Sequence, residues 1–150
     1  MAIMDDNRCM IDTNVLVYIT VNPNPWYNAA RQWLDRMFRE GFELCISTQI
    51  AREYLVVLTR GDVFEQRFTS EEASHQLDAI LSVFALLHES ERSVSSLTDL
   101  LRRYQIRGKS IHDANIVATM LVHGVKRLAT YNSVDFRRFK EITLELAPAS

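Results

Sequence analysis

Short apolar runs alternate along this chain with stretches of helical period, and the connections between runs are too long for hairpins. No other feature restricts the fold as much. Arg8–Asp12 reads as a buried strand, followed by a helix from about Thr13. Trp26, Ala29, Ala30, Trp33 and Met37 recur at helical spacing after Pro23 and Pro25, and Gly41 ends that helix. Phe42–Ser47 is strand-like again. Thr48 is the expected cap of a helix through Glu53 to Leu58, which Arg60-Gly61-Asp62 breaks. Thr69-Ser70-Glu71-Glu72 resembles a capping box, opening a helix with Ala73, Leu77, Ile80, Leu81 and Phe84 on one face. A strand is expected near Leu86–Glu89, then a helix capped at Ser96-x-x-Asp99 with an apolar stripe of Leu97, Leu100, Leu101 and Tyr104. After the basic turn Arg107-Gly108-Lys109-Ser110, Ile111–Val122 is apolar around most of its circumference, as in a helix buried between layers. Arg127–Thr130 and Ile142–Leu146 complete the strands. The pattern predicts an α/β sandwich around a mostly parallel sheet.

A chain of 150 residues, 47% hydrophobic, is long enough for one domain with a proper core. It carries no linker, repeat or low-complexity run, so residues 1–150 read as a single domain. The N-terminal M-A-I-M-D-D-N-R is acidic and unlike a secretory signal, and no apolar run reaches the ~18 residues a membrane span requires. Cys9 and Cys45 lie in separate apolar stretches without CxxC spacing, which predicts buried free thiols in a reducing cytoplasm. The net charge of −2 conceals an asymmetry: residues 1–91 carry 7 Lys/Arg against 14 Asp/Glu, and residues 92–140 carry 10 against 3. The basic segment could present a phosphate-binding surface, or its side chains could merely solvate helix faces.

The chemistry-bearing residues are acids at strand ends. Asp12-Thr13-Asn14 interrupts C-M-I-D-T-N-V-L-V-Y-I at the end of the first strand; Glu53 lies early in the helix after the second; Asp113 is near the start of the buried helix; Asp135 follows the Arg127–Thr130 strand. In open α/β sheets the binding crevice lies beyond the carboxyl ends of the strands, so these four acids can converge. Each has a local alternative. Asp12 could cap the next helix, Asp113 could complete a box with Ser110, Glu53 could be a solvated helix residue, and Asp135 could end a turn. Converging carboxylates repel by about 4 kcal/mol per pair at ~4 Å in an effective dielectric near 20, so they need a cation or protons among them. An all-oxygen donor set suits a hard ion, Mg²⁺ or Mn²⁺. Phosphodiester hydrolysis uses such an ion well, to activate water and to polarise phosphoryl oxygens.

Other classes fit less well. A phosphoaspartate phosphatase needs D-x-D where this chain has Asp12-Thr13-Asn14. A receiver-type domain, suggested by Asp5-Asp6, needs an acceptor Asp ending a middle strand, whereas Glu53 falls in a helix. With four glycines in all, no G-x-G-x-x-G dinucleotide fingerprint exists.

Four blocks carry a family resemblance: I-D-T-N-V-L (Ile11–Leu16), the helix with Glu53, I-H-D-A-N-I-V-A-T (Ile111–Thr119) and R-L-A-T-Y-N-S-V-D-F-R-R-F (Arg127–Phe139). In this order and spacing the chain resembles the PIN-domain family, in particular its VapC-type ribonuclease toxins. The resemblance implies a three-layer sandwich with a five-stranded parallel sheet between helices, and a Mg²⁺- or Mn²⁺-dependent endoribonuclease cutting RNA. It assigns Asp12, Glu53 and Asp113 as the core catalytic and metal-binding acids. Many relatives carry an acid two residues after the strand-ending threonine, Thr130, where this chain has Asn132; Asp135 is the nearest carboxylate and would assist through water or at a second ion. Thr13, Asn14, Thr130 and Asn132 would support the acids, Thr13 by orienting a carboxylate. Arg107, Lys109, Arg137 and Arg138 flank the blocks and would hold the RNA backbone. The resemblance also implies a cognate antitoxin over the crevice and a homodimer. A non-toxin PIN nuclease of RNA processing, or an RNA-binding module whose site has weakened, is the alternative, and Asn132 is the departure that keeps it open.

Overall fold

Three consecutive residues of the first strand, Cys9, Met10 and Ile11, are wholly buried, and so are Cys45 and Ile46 in the second. Side chains of a strand alternate between faces, so burial at successive positions requires cover on both sides of the sheet. The computed structural model describes residues 7–145 and supplies that cover. Among the described residues the elements run β1 (Arg8–Ile11), α1 (Thr13–Thr20), α2 (Tyr27–Arg39), β2 (Glu43–Ser47), α3 (Thr48–Arg60), α4 (Ser70–Leu81) and β3 (Ala85–Leu87). They continue with α5 (Glu91–Tyr104), α6 (Ser110–Val122), β4 (Arg127–Ala129), α7 (Ser133–Phe136) and β5 (Thr143–Glu145). The five strands form one sheet, all pairs parallel, in the order β3-β2-β1-β4-β5. The helices pack in two groups: α1 against α2 and α3, with α3 against α4, and α6 against α5 and α7. α6 buries Ala114, Ile116, Val117, Ala118, Thr119 and Met120, the continuous burial expected of a helix held between layers.

Strand order reverses at β1, whose two neighbours are β2 and β4. The register pairs Ile11 with Ala129, and the Asp12 N–H donates to the Ala129 carbonyl at 2.9 Å. The residues just past the ends of β1 and β4 therefore stand side by side at the topological switch point, where open α/β sheets form their crevice.

Several boundaries differ from the sequence reading. The cap of α3 is Ser47, whose hydroxyl accepts from the Ile50 N–H at 3.1 Å; Thr48 is the first helical residue. Gly61 closes α3 in the left-handed conformation at φ 78°, and a Cβ there would come within 2.7 Å of the Arg67 side chain. Phe84 lies in the turn beyond α4, and β3 is Ala85–Leu87, displaced from the expected Leu86–Glu89. α5 begins at Glu91, with the Ser93 hydroxyl accepting from the Ser90 N–H at 2.7 Å. Ser96 and Asp99 are therefore inside the helix, and Asp99 pairs with Arg103 one turn on. The Thr69–Glu72 capping box forms in both directions. Leu100 is buried, and Leu97, Leu101 and Tyr104 pack against the core. Cys9 and Cys45 are free, buried thiols, and burial raises both thiol pKa values. Among the described residues no helix is long and apolar enough to cross a membrane. The acidic start of the chain, Asp5-Asp6 included, and Leu146 lie outside the described residues.

Candidate active site

Asp12 is a helix cap that also lines the cavity at the sheet's end. Its backbone is extended and its Oδ1 accepts from the Thr13 N–H at 2.8 Å, which satisfies an otherwise orphaned donor of α1. The cap uses one oxygen. The other, Oδ2, accepts from the Thr130 hydroxyl at 2.7 Å, across the β1–β4 junction. Thr130 Oγ in turn accepts from the Asn132 N–H at 2.9 Å, and Asn14 reaches the same segment, its Oδ1 accepting from the Tyr131 N–H at 3.2 Å. The D-T-N turn and the segment after β4 are thus tied together by their polar side chains.

Glu53 projects from α3 toward this corner. The Thr13 hydroxyl donates to its Oε1 at 2.9 Å and the Gln49 amide to its Oε2 at 3.0 Å. Asp113 stands in the first turn of α6, where the helix macrodipole favours a negative charge. α6 has no side-chain cap hydrogen bond, so the Ser110–Asp113 box does not form. Asp135, in α7, accepts from Asn132 Nδ2 at 2.7 Å. A cavity of about 290 Å³ is lined by Asp12, Thr13, Asn14, Asp113 and Asn132 on its polar side and by Val17, Tyr18, Val57 and Val63 on its apolar side.

Neighbouring acids act on the carboxyls of Asp12 and Asp113. Burial pushes the Asp12 carboxyl up to about 6; hydrogen bonds from Thr130 and Thr13 hold it down, and the charges of Glu53 and Asp113 raise it again. Burial likewise lifts Asp113 to about 6, with Asp135 and Glu53 adding to the rise and His112 and Arg138 opposing it. Among the described residues no three acids, His or Cys are gathered closely enough to enclose an ion by themselves. The donor set fits a hard divalent ion of the Mg²⁺ type, which keeps several waters and takes only one or two carboxylates directly. Of the basic residues singled out in the sequence, Arg138 is close enough to Asp113 to act on its charge, and its guanidinium lies 5.8 Å from the Phe139 ring centre. Arg107, Lys109 and Arg137 are exposed.

Two polar residues that bond to the acid-bearing elements escape a reading of the sequence. Gln49 is 2% exposed and bridges Glu53 to α6, and Asn115 donates to Gln49 Oε1 at 2.7 Å. The available signal was spacing. Gln49 precedes Glu53 by four residues, one helical turn, and Asn115 lies two after Asp113 in an otherwise apolar run.

Comparison with known proteins places the chain in a family. The PIN-domain family profile matches residues 9–142. No curated protein sequence matches the chain. Among solved structures, VapBC2 from Rickettsia felis, bound to a promoter DNA fragment, is similar with a TM-score of 0.67 at 21% identity, over 93% of this chain and 98% of that one. VapBC-1 from nontypeable Haemophilus influenzae gives 0.66 at 17% identity over 92% and 96%. Mycobacterium tuberculosis VapC20, described as a sarcin-ricin loop cleaving toxin, gives 0.65 at 16% identity over 89% and 98%. At these identities the structural likeness is one of fold; it is the profile, spanning nearly every element that carries a site residue, by which this chain belongs to the PIN-domain family.

Proposed function

We propose that the protein is a divalent-cation-dependent endoribonuclease of the VapC type, acting as the toxin of a toxin–antitoxin pair. The observation that supports this reading is the gathering of negative charge around Asp12 and Asp113, which line one crevice at the switch point: Glu53 acts on both and Asp135 acts on Asp113. Asp12 and Asp113 are the residues to hold Mg²⁺ or Mn²⁺, with Glu53 and Asp135 assisting. When bound, the ion supplies Lewis-acid stabilisation for charge developing on the scissile phosphate. Thr130 and the α1 N-terminus keep Asp12 ionisable and aimed into the crevice. Glu53 uses one acceptor position on each oxygen for Thr13 and Gln49, and each oxygen retains another to orient a water or take its proton. Arg107, Lys109, Arg137 and Arg138 would neutralise flanking phosphates.

The antitoxin partner follows from the named neighbours, which include a toxin–antitoxin complex from Klebsiella pneumoniae. An antitoxin segment with a basic side chain would suit the acidic crevice, and a homodimer is part of the same reading. Asn132 favours one alternative, an RNA-binding PIN module with weakened catalysis. A ribonuclease assay with and without Mg²⁺, on the parent and on Asp12→Asn, separates them. The expected result is Mg²⁺-dependent cleavage by the parent alone, leaving 5′-phosphate and 3′-hydroxyl ends. Equal cleavage by both proteins, or 2′,3′-cyclic phosphate ends, would overturn the mechanism; RNA binding without cleavage would support the weakened module.

A further inference from the structure

We propose that Gln49 is a positioning residue that fixes the Glu53 carboxylate and sets its place relative to Asp113. Gln49 lies in the first turn of α3 with 2% exposure, and a buried amide must find partners for both its ends. It finds them among the acid-bearing elements. Nε2 donates at 3.0 Å to Glu53 Oε2 and at 2.9 Å to the carbonyl of His112, the residue before Asp113. Oε1 accepts from Asn115 Nδ2 at 2.7 Å. Gln49 is thus a clip between α3, which carries Glu53, and the first turn of α6, which carries Asp113.

The polarity of the clip is dictated from outside. Asn115 Nδ2 sits between two acceptors, Gln49 Oε1 and Glu89 Oε1 at 2.6 Å, so only its NH₂ fits there. Gln49 must then present oxygen to Asn115 and nitrogen to Glu53. The opposite orientation would set an oxygen against a carboxylate and a carbonyl. A neutral donor has a specific advantage here. A lysine or arginine at position 49 would pair with Glu53 and compete with the cation, whereas an amide orients the carboxylate and leaves its charge intact.

The inference rests on the nuclease reading for its activity readout but not for its metal readout. Two variants test it: Gln49→Met, which removes every bond of the clip, and the charge-neutral pair Asn115→Asp/Glu89→Gln, which reverses the polarity Gln49 meets. Glu89→Gln alone is the control. Mn²⁺ binding by calorimetry, kcat and KM on RNA, and folding by circular dichroism are measured for each. In both test variants Mn²⁺ affinity and kcat are expected to fall by about 10–100-fold, the range for lost outer partners of metal ligands. KM for RNA stays near the parent value and the control matches the parent. Folded variants with parental Mn²⁺ affinity and kcat overturn the assignment. If Gln49→Met fails to fold, the paired variant decides alone. A parent that neither binds Mn²⁺ nor cuts RNA overturns the nuclease reading, and this assignment with it. A parent that does both, with variants its equal, overturns this assignment only.

Discussion

Asp12 carries a penalty in the folded state that it does not carry unfolded. Its carboxyl is pushed from 3.8 up to about 6, chiefly by burial, so between these values the folded chain holds a proton that the unfolded chain releases. Stability from this group is fully present below pH 4 and is lost as pH rises through 6, a difference on the order of 3 kcal/mol. In divalent-free buffer, urea unfolding of the parent and of Asp12→Asn from pH 4 to pH 7 should give a difference that moves in favour of the variant as pH rises. A pH-independent difference would mean that Asp12 is not burdened in this way. The sequence made Asp12 legible because it breaks an apolar run, but offered a cap and a site as rivals; in the structure the cap takes one oxygen and the other reaches Thr130 across the β1–β4 junction, so the two readings do not exclude each other. Gln49 was illegible for the opposite reason. A glutamine followed by Ile50 and Ala51 breaks no pattern, and only its contact with α6, distant in sequence, gives it meaning.

At the scale of elements, Ser47 and Thr48 compete to start α3, the helix that delivers Glu53. Ser47 holds the Ile50 N–H and is wholly buried, while Thr48 already has helical geometry and its hydroxyl turns to Glu89 at 3.3 Å. Loss of a working cap costs about 1 kcal/mol, and burial of the orphaned donor places Ser47→Ala toward the upper end, near 2 kcal/mol. Thr48→Ala should stay within about 0.5 kcal/mol, as for a surface substitution away from such features. Denaturant midpoints of the two variants check the order; a larger loss for Thr48→Ala would contradict the cap assignment. The sequence could not decide between adjacent hydroxyl residues, since both satisfy the same pattern. The Ser-x-x-Asp pattern failed in the same way twice. Ser96–Asp99 lies inside α5, where Asp99 pairs with Arg103, and Ser110–Asp113 opens α6 without a cap bond. Thr69–Glu72 is the instance where the four-residue signal coincides with the first turn of a helix and its cap residue, and there it forms in full.

For the whole molecule, parallel pairing was legible because long connections exclude hairpins, whereas the strand order was not written in any local pattern. That order makes the site. With β1 between β2 and β4, the ends of the first, second and fourth strands open onto one corner, and acids far apart in sequence share one electrostatic environment. Under the proposed function such a corner would link ion binding to global stability, because a ligand that binds only the folded state stabilises it by about 2.7 kcal/mol at 100 times its Kd. For a chain of this length that corresponds to roughly 5–10 °C in Tm. Mg²⁺ or Mn²⁺ at such a concentration should therefore raise the Tm of the parent at pH 7.5 and leave Asp12→Asn nearly unmoved. At pH 5 the same ion must first displace protons from Asp12 and Asp113, both of which titrate near 6, so the shift should shrink toward zero. Differential scanning fluorimetry at the two pH values reads this directly. A shift of equal size at both, or in parent and variant alike, would place the ion elsewhere on the surface and separate the acid corner from metal binding.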